Sequence, residues 1–310
     1  MKIKYHLLII LIIIINLPPS AMGGIPAAYV DIGYGARPMG MGGAFVALAN
    51  DAHAVLWNPA GLIRLKSTNA TFMWTKQLNL IPYYFIAAGR PINNRFSLGT
   101  AAISSGNDVL RETTFLLSCA YKLPLEMRSP LNRINVGVNL KLRNSSYGNN
   151  ADGGENQIKG DALGFGIDLG AQWMISPIFF TGILLRDIVS PVSYHNKTLD
   201  KTYSESVPPT LIIGAVYSAI KNLLLAADWE QVLSADNNDK FHIGMEYKII
   251  NIFVLRAGLN QPIDRSSDKK YTLGLGLFYK KKGVLSLSFD FAYEFFFLAN
   301  TPKVSTSIWF

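Results

Sequence analysis

The sequence of 310 residues contains a single cysteine, Cys119, so no disulfide can form within the chain. Its stability must therefore come from the packing of the fold. Histidine is almost as scarce, and His53, His195 and His242 have neither the spacing nor the thiolate companions of a zinc site. We expect neither a metal ion nor another cofactor.

Charged residues make up only 16% of the chain, whereas 49% of its residues are hydrophobic. An unbroken apolar run nevertheless covers only residues 7–15, well short of the about 20 residues that a membrane-spanning helix needs. Lysines precede this run and small residues follow it, an order typical of a secretory signal peptide. We predict a signal peptide at residues 1–23, cleaved between Ala21 and Gly24, with an uncleaved anchor helix as the alternative.

A secreted chain this apolar must hide its hydrophobic surface without transmembrane helices. A closed β-barrel does so, because alternate residues of each strand face lipid and closure leaves no unpaired edge. The required alternation is clear from Tyr271 to Lys280, where apolar side chains occupy the odd positions and mostly small or polar residues the even ones. A period of two predicts strands rather than helices.

Segments of this kind predict an all-β fold, a transmembrane antiparallel β-barrel of about fourteen strands. An even strand number is what a single-chain bacterial barrel requires. Links after even-numbered strands are mostly short and those after odd-numbered strands mostly long, as expected for turns at one end and loops at the other. A soluble β-sandwich remains the alternative, since alternation does not say what the apolar face meets. The predicted strands cover residues 67–75, 79–90, 94–105, 111–122, 132–144, 160–174, 178–187, 209–219, 222–230, 239–249, 252–261, 270–281, 284–294 and 300–310.

The chain ends on an alternating segment, VSTSIWF, whose last residue is Phe310. This resembles the closing strand of outer-membrane barrels, although Ile308 stands where many of them carry an aromatic residue. The resemblance implies that Phe310 is the signal read by the barrel assembly machinery.

The stretch GARPMGMGGAFVALANDAHAVLWNPAGL, residues 35–62, resembles the amino-terminal signature of PorV/PorQ-type outer-membrane barrels. These are relatives of the FadL-type (OMPP1/FadL/TodX) transporters of hydrophobic compounds. Glycine-rich and aromatic strand patterns such as ALGFGIDLGAQW and YTLGLGLFY extend the resemblance over the mature chain.

The resemblance implies a place in the cell outer membrane of a diderm bacterium and contact with outer-membrane lipid. It implies export or attachment of cargo with components of the type IX secretion system. FadL-like transport of long-chain fatty acids or other hydrophobic molecules is the alternative, and a purely structural barrel is a third possibility. Nucleic acid is not an expected partner, because the basic turns suit anionic headgroups instead.

In FadL-like barrels the segment before the first strand folds back as a hatch inside the lumen. The resemblance therefore implies a hatch at residues 24–66 and a barrel at residues 67–310. Glycines would let the hatch turn at positive φ and approach the wall, and aromatic residues would anchor it. A fixed plug and a gated hatch are both open. The residues expected to matter are Gly40, Gly42, Gly43, Phe45, Trp57, Asn58 and Pro59.

Several charged residues fall on the small and polar face of neighbouring predicted strands, and of these Glu246 and Arg256 are placed to pair. They brace a wet lumen and hold the hatch, or they form a site for a polar headgroup. No nucleophile elbow or phosphate-binding loop is evident, so we predict no enzymatic activity, with an outer-membrane hydrolase as a minor alternative. The lumen charges are Asp228, Glu230, His242, Glu246, Arg256 and Asp290.

Overall fold

The computed structural model describes residues 32–77, 80–107, 109–124, 134–148, 159–233, 239–263, 268–281 and 285–310. The predicted signal peptide and residues 24–31 of the predicted hatch lie outside these ranges. Sixteen antiparallel strands form one sheet in the described residues. They are β1 Asn69–Gln77, β2 Ile81–Pro91, β3 Phe96–Gly106, β4 Leu110–Lys122, β5 Ile134–Tyr147, β6 Gly160–Ser176, β7 Phe179–Val189, β8 Pro191–Asn196, β9 Lys201–Ser206, β10 Thr210–Tyr217, β11 Leu223–Val232, β12 Lys240–Lys248, β13 Phe253–Pro262, β14 Lys270–Lys281, β15 Leu285–Phe295 and β16 Thr301–Trp309.

Fourteen of these strands, β1–β7 and β10–β16, close into a barrel. Each pairs with its neighbour along the chain, β7 pairs with β10, and the first strand pairs with the last, with Asn69 opposite Trp309. Each of the fourteen segments predicted from alternation corresponds to one barrel strand. The predicted fold class, an all-β antiparallel barrel of about fourteen strands, is therefore confirmed.

The apolar face of the strands looks outward, as the alternation predicts. On β14, Leu273 is 55% exposed and Leu275 is 37% exposed, whereas Thr272, which points to the other face of the same strand, is buried. The outer surface is consequently a band of exposed large hydrophobic side chains, and the polar side chains of the strands are turned into the lumen.

The segment between β7 and β10, predicted as a long polar loop, contains an additional hairpin made of β8 and β9. This hairpin extends the loop-side end of β6, with Gly164 opposite Val192. A bulge separates it from the barrel, because the pairing of β6 with β7 shifts between Ile167 and Leu169 and Asp187 adopts φ 57°. Both faces of β9 are exposed, so its sequence lacks the alternation that a half-buried strand shows.

The N-terminal segment from residue 32 to residue 66, which we call the hatch, lies inside the barrel. It contains two short helices, α1 (Ala36–Gly40) and α2 (Ala54–Trp57), and a 3₁₀ helix, Pro59–Arg64. Asn58 caps the 3₁₀ helix, since its side-chain oxygen accepts a hydrogen bond from the amide of Ala60 at 3.2 Å. None of the helices in the described part of the chain is long and apolar enough to cross a membrane.

The two ends of the barrel differ in what they carry. The amide of Phe310 donates to the carbonyl of Thr68 at 3.0 Å, so the chain enters and leaves the barrel at the same end. We call this the terminal end. The opposite end carries β8 and β9, and we call it the loop end.

The outward face can be tested on β14 with the substitution Leu275→Lys. Leu275 lies at the middle of its strand, so a lysine there should lower the free energy of unfolding by about 2–4 kcal/mol. Tyr279→Lys, near the terminal end of the same face, should cost only about 0–1 kcal/mol. Denaturant unfolding in lipid vesicles measures both values, and equal costs would argue against hydrocarbon outside the barrel.

Candidate functional site

Glycines of the barrel wall form the contact surface for the hatch. Four cross-strand pairs consist of glycine opposite glycine: Gly89–Gly99, Gly137–Gly170, Gly182–Gly214 and Gly244–Gly258. A Cβ at seven of these eight glycines would collide with the hatch, at four of them with its backbone first, and a Cβ at Gly214 would collide with the wall carboxylate of Asp228. The wall is therefore shaped to the hatch around much of its circumference.

The predicted hatch glycines serve the same close approach from the other side. Gly42 and Gly43 have φ of 66° and 85°, which a residue with a side chain adopts only with strain. A Cβ at Gly42 would lie 2.6 Å from the amide nitrogen of Leu259, and one at Gly40 would lie 3.3 Å from the Cα of Gly274.

The predicted anchors of the hatch are packed into it and against the wall. The ring of Phe45 is fully buried and meets the ring of Trp57 edge-on at 5.9 Å, while the Trp57 indole donates to the carbonyl of Tyr34 at 2.9 Å. The Asn58 amide donates to the hatch carbonyl of Val46 at 3.0 Å and to the wall carbonyl of Ala171 at 3.1 Å. Pro59, also buried, begins the 3₁₀ helix.

Arg37 of the hatch belongs to a series of ion pairs that begins in the hatch and continues into the barrel wall. Its guanidinium contacts Asp51 at 2.6 Å and Glu246 at 3.1 Å. Glu246 also contacts Arg256 at 2.8 Å, which in turn contacts Asp290 at 2.7 Å. The structure thus forms the pair of Glu246 and Arg256 that the strand order indicates, and it adds the hatch arginine to it.

A second group of polar residues holds the hatch through its backbone. The carboxylate of Asp228 accepts hydrogen bonds from the amides of Phe45 at 2.7 Å and Val46 at 2.8 Å. His242 Nδ1 lies 2.8 Å from the carbonyl oxygen of Gly42, so that nitrogen carries the proton and donates it. Glu230 lies beside it, 3.5 Å from His242 Nε2.

A third group of charges is absent from the residues proposed from sequence. Lys141 on β5 contacts Asp168 at 2.7 Å and Asp187 at 3.0 Å, and Arg143 also pairs with Asp187. All four are buried at the bulge between β6 and β7. Their inward position on alternating strands was a signal that could have found Lys141, Arg143 and Asp168, whereas the bulge that turns Asp187 inward has no sequence signal.

The hatch charges respond to burial and to each other. Burial raises the pKa of Asp51, but His53 and Arg37 outweigh it and hold the pKa well below the usual range of a carboxyl group. Burial also lowers the pKa of Arg64 to about 10, and the nearby charge of Arg37 contributes to the change. Arg64 stays cationic at neutral pH, lying over the ring of Phe180 at 4.8 Å.

A cavity of about 50 Å³ lies between the hatch and the loop-end half of the wall. Its apolar side is formed mainly by Val46, Leu56 and Trp57 of the hatch and by Leu184 and Ile212 of the wall. Its polar side carries the cationic Arg186 and Lys240, the imidazole of His242 and one carboxylate, Glu230. The cavity therefore has one apolar side and one charged side. In the described residues, no group of three or more His, Cys, Asp or Glu side chains is placed to hold a metal ion.

Comparison with known proteins places the fold. No protein-family model matches the chain, and no curated protein matches it. Among solved structures, the monoaromatic hydrocarbon channel CymD matches with a TM-score of 0.61 and 15% identity over 89% of this chain and 96% of that one. The Ralstonia pickettii toluene transporter TbuX matches with a TM-score of 0.59 and 15% identity over 89% of this chain and 97% of that one. A Pseudomonas aeruginosa FadL homologue matches with a TM-score of 0.56 and 14% identity over 94% of this chain and 98% of that one. At these identities the likeness shows the fold.

The fit of the hatch to the wall can be tested with Gly258→Val. The first added carbon would lie 2.7 Å from the Cα of Gly42, so the hatch must shift, and we expect a loss of about 1–3 kcal/mol in unfolding free energy. Ala257→Val, on the outward face one residue away, is the control and should change it by less than about 0.5 kcal/mol. Equal stability of the two variants in a denaturant titration would show that the hatch does not press on the wall.

Proposed function

We propose that this chain is an outer-membrane barrel that passes small hydrophobic molecules, with the hatch as the element that must move. The observation that carries the proposal is the cavity between hatch and wall, whose apolar side includes Trp57, Leu56 and Ile212. The fold shared with hydrocarbon channels supports the same reading. Of the two roles predicted from sequence, transport is therefore favoured over export of cargo.

The size of the cavity indicates that the described state is closed. It measures about 50 Å³, whereas a cavity that binds benzene has a volume of about 150 Å³. A hydrophobic passenger therefore fits only after the hatch side, the wall side or both have moved. Because the wall is a continuous ladder of hydrogen bonds, the hatch is the easier part to displace.

The proposal assigns a place and an orientation to the chain. Residues 1–23 are a signal peptide, residues 24–66 form the hatch and residues 67–310 form the barrel. The terminal end faces the periplasm, where the barrel assembly machinery reads Phe310, and the loop end faces outward. Phe310 is 61% exposed, which leaves its side chain accessible for that recognition.

A reversible lock on the hatch tests the proposal. Val55 Cγ2 lies 2.7 Å from the position that a Cβ at Gly99 would take, so Val55→Cys with Gly99→Cys can join hatch to wall. The native Cys119, which is exposed, is replaced by alanine in the same chain. Uptake of radiolabelled toluene and oleate is measured in cells whose own hydrophobic-compound channels are deleted.

We expect uptake to fall to the level of cells without the barrel when the lock is oxidised and to recover on reduction. The variant with Val55→Cys alone is the matched control and should transport under both conditions. Uptake that is equal in the oxidised and reduced forms would contradict a moving hatch. Uptake by the reduced variant and by the Val55→Cys control that is no higher than in cells without the barrel would contradict transport itself.

Export of cargo with the type IX secretion system stays a prediction from sequence, as does membership of the PorV/PorQ family. Secretion genes and proteins with matching carboxy-terminal signal domains should occur in the same genome if that role is correct. Co-purification of such proteins with this barrel from outer membranes would support it.

A further inference from the structure

The terminal end of the barrel carries a ring of positive charge. Seven exposed lysine and arginine side chains lie there, and no exposed aspartate or glutamate side chain accompanies them in the part of the chain that the structure describes. On one side of the ring are Lys66, Arg90, Arg95 and Lys122. On the other side are Lys221, Lys248 and Lys280. We call these seven residues the basic rim.

Within the described residues the basic rim forms no ion pairs, unlike the cations of the lumen. Arg37, Lys141 and Arg256 each contact carboxylates, whereas no rim residue forms an ion pair with any described residue. At the loop end, charges of both signs occur together, as in the contact of Lys197 with Asp161 at 3.1 Å. Among the described residues, no aspartate or glutamate side chain balances the positive potential of the rim.

Exposed isoleucines stand directly beside the rim cations. Ile220 precedes Lys221 and is 56% exposed, and Ile249 and Ile250 follow Lys248 and are 47% and 52% exposed. Ile92 lies in the turn between Arg90 and Arg95 and is 51% exposed. A water-soluble partner would leave such a ring of isolated isoleucines uncovered, whereas a bilayer surface takes the apolar side chains into its hydrocarbon and offers phosphates to the cations.

A groove at the same end fits this arrangement. It has a volume of about 660 Å³ and is lined by the outward-facing Leu277, Leu287 and Phe289, with Lys280 and Tyr279 near its end. Tyr279 is 61% exposed, the position of an aromatic residue at the border between hydrocarbon and headgroups. Its apolar lining and its volume would accept part of an acyl chain, and Lys280 would lie beside the headgroup.

We propose that the basic rim binds anionic phospholipids of the leaflet that faces the terminal end, in preference to zwitterionic ones. Lys221, Lys248 and Lys280 lie at successive connections of this end, and Lys280 lines the groove, so these three lysines are the ones that the test removes. The proposal rests on the orientation of the barrel in a bilayer and not on what passes through the lumen, so failure of the transport test leaves it standing.

The test compares lipids retained by the protein. The mature chain is reconstituted in vesicles of equal phosphatidylglycerol and phosphatidylcholine, extracted in mild detergent and analysed for bound lipid by mass spectrometry. The rim variant carries Lys221→Gln, Lys248→Gln and Lys280→Gln. The control carries Lys76→Gln, Lys159→Gln and Lys201→Gln, which remove the same charge from exposed positions at the loop end.

We expect about fivefold enrichment of phosphatidylglycerol on the wild type and the control, and less than twofold on the rim variant. Extraction in 1 M salt, where the Debye length is about 3 Å, should also reduce the enrichment. Equal retention of the two lipids by the wild type would overturn the proposal, as would equal losses in rim variant and control. Capture of polyglutamate by the wild type in phosphatidylcholine vesicles, without lipid enrichment, would identify an acidic protein as the partner and overturn it too.

Discussion

Deletion of residues 25–66 is expected to leave a barrel that still shifts its mobility on heating but leaks small hydrophilic solutes. The hatch fills the lumen, and a ring of fourteen strands encloses more space than its own side chains occupy. Without the hatch, water replaces it around the polar wall residues, including Asp228 and Glu246. Conductance in planar bilayers measures the change, with the full-length mature chain as the control.

The deletion also removes partners that the wall carboxylates use, so folding needs its own check. Heat modifiability in gels shows whether the shortened chain has closed into a barrel. If it has not, a protease site between Lys66 and Asn69 allows the hatch to be cut and extracted with urea after folding. Conductance equal to that of the intact protein in a folded, hatch-free barrel would show that the lumen is not occupied by this segment.

Arg256→Met is expected to cost about 3–5 kcal/mol in unfolding free energy, because it leaves Asp290 as a buried charge without an ion-pair partner and removes one of the two arginines that contact Glu246. Arg256 itself is only 2% exposed, so water cannot take its place without rearrangement. The measurement is denaturant unfolding in vesicles at neutral pH. Arg95→Met at the exposed terminal end is the matched control and should change stability by less than about 0.5 kcal/mol.

A compensated variant separates lost charge from lost packing. Arg256→Met combined with Asp290→Asn removes the carboxylate left without an ion-pair partner, keeps the pair of Arg37 and Glu246, and should recover much of the loss. A single Arg256→Met variant as stable as the wild type would mean that these carboxylates are hydrated in the folded barrel. The charge network would then not brace the hatch.

The barrel could be predicted because each of its strands has one face toward the outside and one face toward the lumen. On β14 the odd positions face the outside and the even positions face the lumen, so residues such as Leu275 and Gly274 alternate with a period of two. The β8–β9 hairpin was missed for the same physical reason. With both faces of β9 exposed, nothing in its sequence distinguishes one side from the other.

The inside of the barrel could be predicted only in part. Closely spaced glycines such as Gly42, which the structure places at positive φ, indicate that the hatch backbone lies close to the wall. Charged residues at inward positions of the strands indicate a polar lumen. The wall partner of Arg37 is Glu246, 209 residues away, and no local pattern joins them. The backbone contacts of Asp228 with Phe45 and Val46 depend on how deeply the hatch enters, which only the assembled barrel determines.

The central claim is that one face of each strand meets hydrocarbon while the other surrounds the hatch, and single cysteines along β14 test it most directly. In a Cys119→Ala background, spin labels at positions 272–277 are examined in vesicles for access to oxygen, which concentrates in lipid. We predict high access at 273, 275 and 277, and low access to both oxygen and a water-soluble relaxant at 272, 274 and 276. Uniform or reversed access, or recovery of the mature chain as a monomer without detergent, would contradict the account.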